Sequence, residues 1–234
     1  MTRLAIVMLT LGAVVSLGCS GAAPPAEPKP SASPQTTGRM LDRVPEQPDP
    51  TASYLIYLHG AIVETGGLRP RHPRFGTYEY AMILEAFANR GFHVISEVRP
   101  AGTRPGEFAQ RVADQIRQLS DRGVPEKNIT VVGFSKGGAI AILASSQVQG
   151  PDVRWVFLAA CGPWLERQPD IVPHGRLLSL YDRSDEMVQS CQDLFDRMPT
   201  GSVTAETVLD LDLAHGAFYT PKPAWIEPVI DWSR

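Results

Sequence analysis

Residues 131–140 of the sequence read VVGFSKGGAI. A β-branched run typical of a buried strand passes here into small residues typical of a helix, and Ser135 lies at the junction. Gly133 and Gly137 flank it in the pattern G-x-S-x-G, where a side chain at either glycine would collide with the neighbouring strand or helix. The pattern predicts that Ser135 is a nucleophile exposed at a helix N-terminus; an ordinary tight strand–helix turn is the alternative.

Strands and helices alternate from residue 51 to the C-terminus. The predicted strands cover residues 53–60, 92–100, 128–134, 153–160, 176–182 and 204–212, and the predicted helices cover residues 77–91, 105–123, 135–148, 185–198 and 223–232. Since parallel neighbours need crossover connections, this order predicts an α/β fold, with a mostly parallel sheet of about six strands and helices on both faces. Functional residues of such sheets lie at the carboxyl ends of the strands.

A nucleophilic serine needs a general base, because its hydroxyl is a poor nucleophile at its own pKa. The candidates are His59, His72, His93, His174 and His215. The first four lie inside a strand, beside prolines in loops, or at a strand end where a histidine shapes the loop. His215 follows the last predicted strand on the expected edge of the sheet, so it is the predicted base.

The orienting acid is expected after the preceding strand, where the sequence LLSLYDRSDEMV offers Asp182, Asp185 and Glu186. Asp182 is the last residue of the strand, whereas Asp185 lies in the loop that reaches toward the histidine. We therefore predict Asp185, with Asp182 as the alternative. Asp210 and Asp212 lie too close along the chain to His215 and are predicted to be structural.

The end of the first predicted strand is a candidate oxyanion-binding segment. Gly60 lets the backbone turn so that the N–H of Ala61 points at the site, and Lys136 offers its backbone N–H directly after the serine. Each such fixed donor lowers a reaction barrier by about 3 to 4 kcal/mol. An ordinary strand-to-loop turn is again the alternative.

Four short stretches occur in an order that resembles the α/β-hydrolases: LHGA (58–61), GFSKGG (133–138), LYDRSD (180–185) and AHG (214–216). The resemblance runs from about Tyr54 to the C-terminus. It implies that family's fold and a Ser135–His215–Asp185 triad that hydrolyses an ester or related acyl bond. In two respects the chain departs from the family: its first two antiparallel strands are missing, and no large cap domain is inserted, which leaves the site open.

The N-terminus has the pattern of a secretory signal. Arg3 precedes an apolar stretch, residues 4–18, that is shorter than the ~20 residues needed to span a bilayer. Cys19 follows directly, so the stretch resembles a bacterial lipoprotein leader, although Ser16 stands where an aliphatic residue is usual and Leu17 is one place late. Lipidation of Cys19 would anchor an exported protein to a bacterial membrane, facing the periplasm or the cell surface.

Three segments are predicted on this basis: a signal peptide at residues 1–18, a proline-rich tether at residues 19–50, and an α/β-hydrolase domain at residues 51–234. The tether assignment follows from proline and small polar residues, which bury too little apolar surface to order themselves. Cys161 and Cys191 then remain in an exported protein. They are predicted to form a disulfide, with two separately buried thiols as the alternative.

Charge and composition limit the partners. The formal net charge of −3 argues against a broad nucleic-acid interface. No metal-ligand spacing and no nucleotide-type glycine loop occurs, so no metal and no cofactor is expected.

The loops at 64–80 and 99–106 carry five arginines: Arg69, Arg71, Arg74, Arg99 and Arg104. They predict either binding of an anionic small-molecule substrate or pairing with local acids such as Glu64, Glu79 and Glu97.

Three functions fit these features. The leading interpretation is a serine hydrolase that cleaves a carboxylic ester through an acyl-enzyme. The second keeps the triad but makes the substrate a peptide or thioester. The third is a non-catalytic, hydrolase-like lipoprotein that binds a ligand or partner. Oligomeric state is not indicated by the sequence.

Overall fold

The computed structural model describes residues 37–234. Its strands are β1 Met40–Leu41, β2 Tyr54–Leu58, β3 Arg71–His72, β4 Gly76–Thr77, β5 His93–Ile95, β6 Ile129–Phe134, β7 Arg154–Leu158, β8 Arg176–Asp182 and β9 Thr204–Leu209. Seven of them form one sheet in the order β1-β5-β2-β6-β7-β8-β9, and every pairing in it is parallel. Strands β3 and β4 form a separate antiparallel hairpin.

Within residues 37–234, six α-helices accompany the sheet: α1 Ala61–Gly66, α2 Tyr80–Ala88, α3 Pro105–Asp121, α4 Lys136–Gln147, α5 Gln192–Phe195 and α6 Pro223–Trp232. Helices α3 and α4 contribute to one hydrophobic cluster, and α2 and α6 contribute to another. Neighbouring residues of β6 divide between them, since Val131 packs in the first cluster and Val132 in the second. The sheet is therefore covered on both faces, as its continuous apolar strands require.

Part of the segment predicted as a tether pairs with the sheet. Strand β1 pairs with β5, with Met40 opposite Val94 and Leu41 opposite Ile95, and Val44 is only 7% exposed. The prediction of a tether up to residue 50 is therefore wrong for residues 37–50, which belong to the folded domain. A few apolar residues among prolines are enough here, because they add to an existing sheet edge and need no core of their own.

The other boundary predictions concern residues 1–36, which lie outside the described residues. These include the predicted signal peptide and Cys19. Within residues 37–234, no helix is long and apolar enough to cross a membrane.

The predicted helix at 185–198 is also shorter than expected, since only Gln192–Phe195 is helical. The preceding loop is held by Glu206 of β9, whose carboxylate accepts a hydrogen bond from the Ser190 hydroxyl at 2.6 Å and from the Cys191 N–H at 2.7 Å. Cys191 is also joined to Cys161 by a disulfide, with 5.3 Å between their Cα atoms. These long-range contacts replace helical hydrogen bonds in the loop that carries Asp185.

Two features of the segment between β2 and α2 were not predicted. Helix α1 begins immediately after Gly60, and the β3–β4 hairpin occupies part of what was predicted as one long loop. The connections within residues 37–234 contain no separate cap domain, in agreement with the prediction.

Candidate active site

The turn between β6 and α4 holds Ser135 in a conformation that is rare for a residue with a side chain. Its φ is 54° and its ψ is −118°. A Cβ on Gly133 would lie 2.3 Å from the carbonyl oxygen of Gly137, and one on Gly137 would lie 1.9 Å from that of Leu58. Both positions therefore require glycine, and the tight packing that they permit maintains the strained serine.

Ser135, His215 and Asp185 are connected by hydrogen bonds. The distance from Ser135 Oγ to His215 Nε2 is 2.9 Å, and from His215 Nδ1 to Asp185 Oδ2 it is 2.7 Å. Because the Asp185 carboxylate can only accept, Nδ1 donates its proton to it and Nε2 is left to accept from the serine hydroxyl. The structure thus brings the three predicted residues together from the ends of three strands.

Asp182, the alternative acid, contacts other groups. Its Oδ1 accepts hydrogen bonds from the Ser184 N–H at 3.1 Å and the Ser184 hydroxyl at 2.5 Å, and its Oδ2 accepts one from the Leu211 N–H at 2.9 Å. The Ser184 hydroxyl in turn accepts from the Ala214 N–H at 3.0 Å. Asp182 therefore joins the loop that carries Asp185 to the loop that carries His215.

Burial raises the pKa of the Asp182 carboxyl, but the hydrogen bonds from Ser184 and Leu211 outweigh burial and hold the pKa below its ordinary value. Asp182 is consequently ionised at neutral pH. Its negative charge strengthens the hydrogen bonds that join the two loops.

Aromatic rings surround the imidazole of His215. The ring of Phe134 lies 4.9 Å away between centroids and that of Phe75 lies 6.1 Å away. A Cβ on Gly216 would lie 3.0 Å from the Cβ of Phe75, so the loop before α2 packs directly on the turn that carries the base. The packing of Phe75 against His215 and Gly216 was not predicted from the sequence, because no local pattern shows that this loop folds back onto the site.

Three other histidines contact aromatic rings or the backbone and not the serine. His72 stacks on Phe75 with the ring centroids 4.5 Å apart, and His93 packs against Tyr54 at 5.3 Å. The backbone N–H of His174 donates to the Ser145 carbonyl at 3.0 Å. Among the five histidines, all of which lie within residues 37–234, His215 alone is hydrogen-bonded to Ser135.

The two predicted oxyanion donors lie at helix starts. Ala61 is the first residue of α1 and Lys136 is the first residue of α4. An N–H in the first turn of a helix has no acceptor within that helix. The two helix starts are close together, since a Cβ on Gly60 would lie 3.7 Å from the Cβ of Ser135.

His59 supports this region and does not act on the serine. Its Nε2 accepts from the Arg99 N–H at 2.9 Å, which leaves Nδ1 to donate to the Gly60 carbonyl at 2.8 Å. Burial, with the positive charge of Arg99 as a second cause, lowers the pKa of His59 to about 4. The ring is therefore neutral at physiological pH.

Most arginines of the two basic loops pair with local acids. Arg69 pairs with Glu79 at 2.6 Å, the buried Arg99 pairs with Glu64 at 3.0 Å, and Arg104 pairs with Glu107 at 3.1 Å. The Arg74 guanidinium lies over the ring of Phe75 at 5.4 Å. These contacts favour the second of the two predictions for this cluster, that of pairing with local acids.

A half-open cleft of about 400 Å³ borders the serine and the histidine. Its walls are mostly apolar and come from the connections after β6, β7 and β8. They comprise Ala139, Ala159, Ala160, Cys161, Gly162, Pro163, Trp164, Met187 and Val188, together with the charged residues Lys136 and Arg167. The described residues contain no group of three or more His, Cys, Asp or Glu side chains arranged to hold a metal ion.

Solved structures of other proteins share this architecture. SOBER1 from Arabidopsis thaliana superposes with a TM-score of 0.53 at 15% identity, covering 77% of this chain and 98% of that one. The esterase domain of a Rhodothermus marinus protein gives 0.52 at 16% identity, covering 80% and 88%. A Klebsiella pneumoniae protein with the provisional name dienelactone hydrolase gives 0.51 at 16% identity, covering 81% and 89%.

The chain therefore has the α/β-hydrolase fold, which confirms the fold predicted from the sequence. Identity at this level establishes the fold and not the activity. No model of a protein family matches the sequence, and no curated protein does.

The low pKa of His59 makes the stability of the domain depend on pH. Between pH 6.5 and about 4 the unfolded chain binds a proton at His59 that the folded chain does not, so acid favours unfolding in this window. Protonation of His59 in the unfolded chain should lower the free energy of unfolding by about 1.4 kcal/mol for each pH unit that the pH falls within this window. This contribution is fully present above pH 6.5 and does not change further below about 4.

Urea unfolding of the parent and of His59→Gln from pH 4.5 to 7.5 measures the effect. Between pH 4.5 and 6.5 the slope of the unfolding free energy against pH should be smaller in the variant by about 1.4 kcal/mol per pH unit, and above pH 6.5 the two slopes should agree. Equal slopes for the parent and His59→Gln below pH 6.5 would refute the prediction.

Proposed function

We propose that the protein is a serine hydrolase that cleaves a carboxylic ester through an acyl-enzyme. The observation that carries the proposal is the hydrogen-bonded series Asp185–His215–Ser135 at the carboxyl edge of the sheet. The name of the Rhodothermus marinus esterase domain, whose fold is similar, supports it. A non-catalytic binding protein with this fold would not need a base hydrogen-bonded to the serine.

In the first half-reaction, the Ser135 oxygen attacks the ester carbonyl while His215 Nε2 takes the hydroxyl proton. The Asp185 carboxylate stabilises the imidazolium that forms. The N–H groups of Ala61 and Lys136 donate to the carbonyl oxygen as it becomes negative. Collapse of the tetrahedral intermediate breaks the bond to the leaving alcohol, which receives its proton from His215.

In the second half-reaction, water replaces the alcohol. His215 takes a proton from the water as its oxygen attacks the acyl carbon, and it returns that proton to the Ser135 oxygen when the acyl–serine bond breaks. The products are a carboxylic acid and an alcohol, and the serine hydroxyl is regenerated. The half-open cleft beside Ser135 and His215 gives both an ester and a water molecule access to the site.

Substitutions of Ser135 and Asp185 should abolish or strongly reduce turnover. Ser135→Ala should remove both labelling by a fluorophosphonate probe and hydrolysis of 4-nitrophenyl esters, because it removes the attacking oxygen. Asp185→Asn should lower kcat by about 10³- to 10⁴-fold, because the imidazole loses the acceptor that fixes its tautomer. Initial rates and gel fluorescence measure the two effects.

Asp210→Asn is the matched control for the acid. The Asp210 side chain is exposed and pairs with Arg183 at 2.9 Å, outside the series, so its kcat should stay within twofold of the parent. Retained ester turnover in Ser135→Ala would refute the proposal.

We further propose that the substrate carries a negative charge. No acid lines the cleft, Lys136 is already paired with Glu64, and Arg167 has no ion-pair partner within residues 37–234. The turn that carries Arg167 is fixed, since Arg197 donates to the carbonyls of Leu165 and Gln168. The guanidinium of Arg167 is thus the group that an anionic substituent would meet beside apolar walls.

Two esters of matched length test the charge preference. Arg167→Gln should raise KM for 4-nitrophenyl hemisuccinate about 10-fold, corresponding to one charge-assisted hydrogen bond, and leave KM for 4-nitrophenyl butyrate unchanged. Arg183→Gln, outside the cleft, should alter neither KM. A parent enzyme that prefers the neutral ester, or a variant that raises both KM values equally, would show that Arg167 does not select a charged substrate.

Localisation is a separate proposal that rests on residues 1–19. We propose export and anchoring to a bacterial membrane through a lipidated Cys19, and the Cys161–Cys191 disulfide supports an oxidising compartment. In a bacterial host fed with labelled palmitate, the parent should carry the label and sediment with membranes, whereas Cys19→Ser should do neither. Membrane association that survives in Cys19→Ser would contradict lipid anchoring at this residue.

A further inference from the structure

A buried carboxylate connects the two proposed oxyanion donors. Glu64 Oε1 accepts from Arg99 Nε at 3.0 Å, and Glu64 Oε2 accepts from Lys136 Nζ at 2.6 Å. The side chains of Glu64 and Arg99 are 4% and 0% exposed, so this is an interior charge network beside the serine.

The positions of Glu64 and Lys136 in the chain indicate what this charge network does. Glu64 lies in α1 one turn after Ala61, and Lys136 follows Ser135 at the start of α4. One carboxylate therefore ties the helix that begins with one donor amide to the residue that carries the other. The mainchain N–H of Lys136 stays free for this role, because only its side chain is engaged by Glu64.

Arg99 extends the same connection to the chain before Ala61. Its guanidinium donates to the His59 carbonyl, and its backbone N–H donates to His59 Nε2 at 2.9 Å. It also lies over the ring of Phe108 in α3, 5.5 Å from the centroid, which anchors the network to the helix layer. The segment from His59 to Glu64 is thus held at both ends by Arg99.

Helix α1 needs such support. It has six residues, it lacks a capping side chain, and Gly60 and Gly67 flank its two ends. A helix of this length is not stable by its own hydrogen bonds, so its direction depends on tertiary contacts. A buried ion pair is weak evidence for a stability role, because a well-packed apolar pair would stabilise the fold as well.

We propose that Glu64 is a positioning residue, which holds the N–H groups of Ala61 and Lys136 in the arrangement that binds the oxyanion. The inference rests on the proposed serine hydrolase function. Glu64 does not touch the substrate; it acts through the two helix starts.

The expected signature is a fall in kcat with little change in KM. Loss of one oxyanion donor costs about 10² to 10³ in kcat, and displacement of donors that remain present should cost less. Glu64→Gln should therefore lower kcat about 10- to 100-fold and change KM by less than about threefold, since the affected interaction forms mainly in the transition state.

A trifluoromethyl ketone gives a second readout. Its adduct with Ser135 places a negative oxygen where the oxyanion forms, so its Ki should rise in Glu64→Gln in parallel with the fall in kcat/KM. Glu79→Gln is the matched control, because Glu79 also pairs with an arginine, Arg69, but has no contact with Lys136. Its kcat and Ki should match those of the parent.

Lys136→Met keeps the test decisive if Glu64→Gln unfolds. It retains the Lys136 N–H and the buried Arg99–Glu64 pair, and it removes only the link between Glu64 and α4. It should show the same kcat and Ki effects with an unchanged melting temperature. The double variant should be no slower than the slower single variant, since both substitutions break one connection.

The outcomes separate the inference from the proposed function. If the parent is not labelled by the fluorophosphonate probe, the proposed function fails and the inference falls with it. If the parent is active and folded Glu64→Gln and Lys136→Met keep the parent kcat, or change KM alone, the positioning role of Glu64 is refuted while the hydrolase function stands.

Discussion

The close backbone contact between the β6–α4 turn and the end of β2 is the constraint on which the site depends. Gly137 lies so near the carbonyl of Leu58 that no side chain fits between them. This contact forces the strained conformation of Ser135 and places the start of α4 against the start of α1. Nucleophile and candidate oxyanion donors are thereby fixed by backbone packing, which is less compliant than side-chain contacts.

The base and the acid are positioned by connections between loops. Hydrogen bonds to Asp182 join the loop after β8 to the loop before His215. The Cys161–Cys191 disulfide links the far end of the same β8 loop to the connection after β7. Loops that lack regular structure are thus cross-linked on both sides of Asp185. The hydrogen bond between Asp185 and His215 can then persist although neither residue lies in an α-helix; His215 lies in a short 3-10 helix, Ala214–Phe218.

Charge serves two purposes around the serine. In the interior, the Glu64 carboxylate pairs with both Arg99 and Lys136, which fits a role in holding backbone segments in place. In the cleft, Arg167 has no partner among residues 37–234 and stands beside apolar walls. Buried ion pairs are screened less by salt than exposed ones, whereas an exposed guanidinium remains available to a ligand.

By itself, the sequence determined the alternation of strands and helices, the turn at Ser135, and the preference for His215 and Asp185, because periodicity, glycine spacing and chain order report local backbone geometry. It left Asp182 as an alternative acid and missed β1, α1 and the packing of Phe75. The tertiary structure alone decided these, and it alone showed that Glu64 joins Arg99 to Lys136, residues 35 and 72 positions away. The partner that a side chain finds across such separations depends on how whole elements pack, which no local pattern of residues encodes.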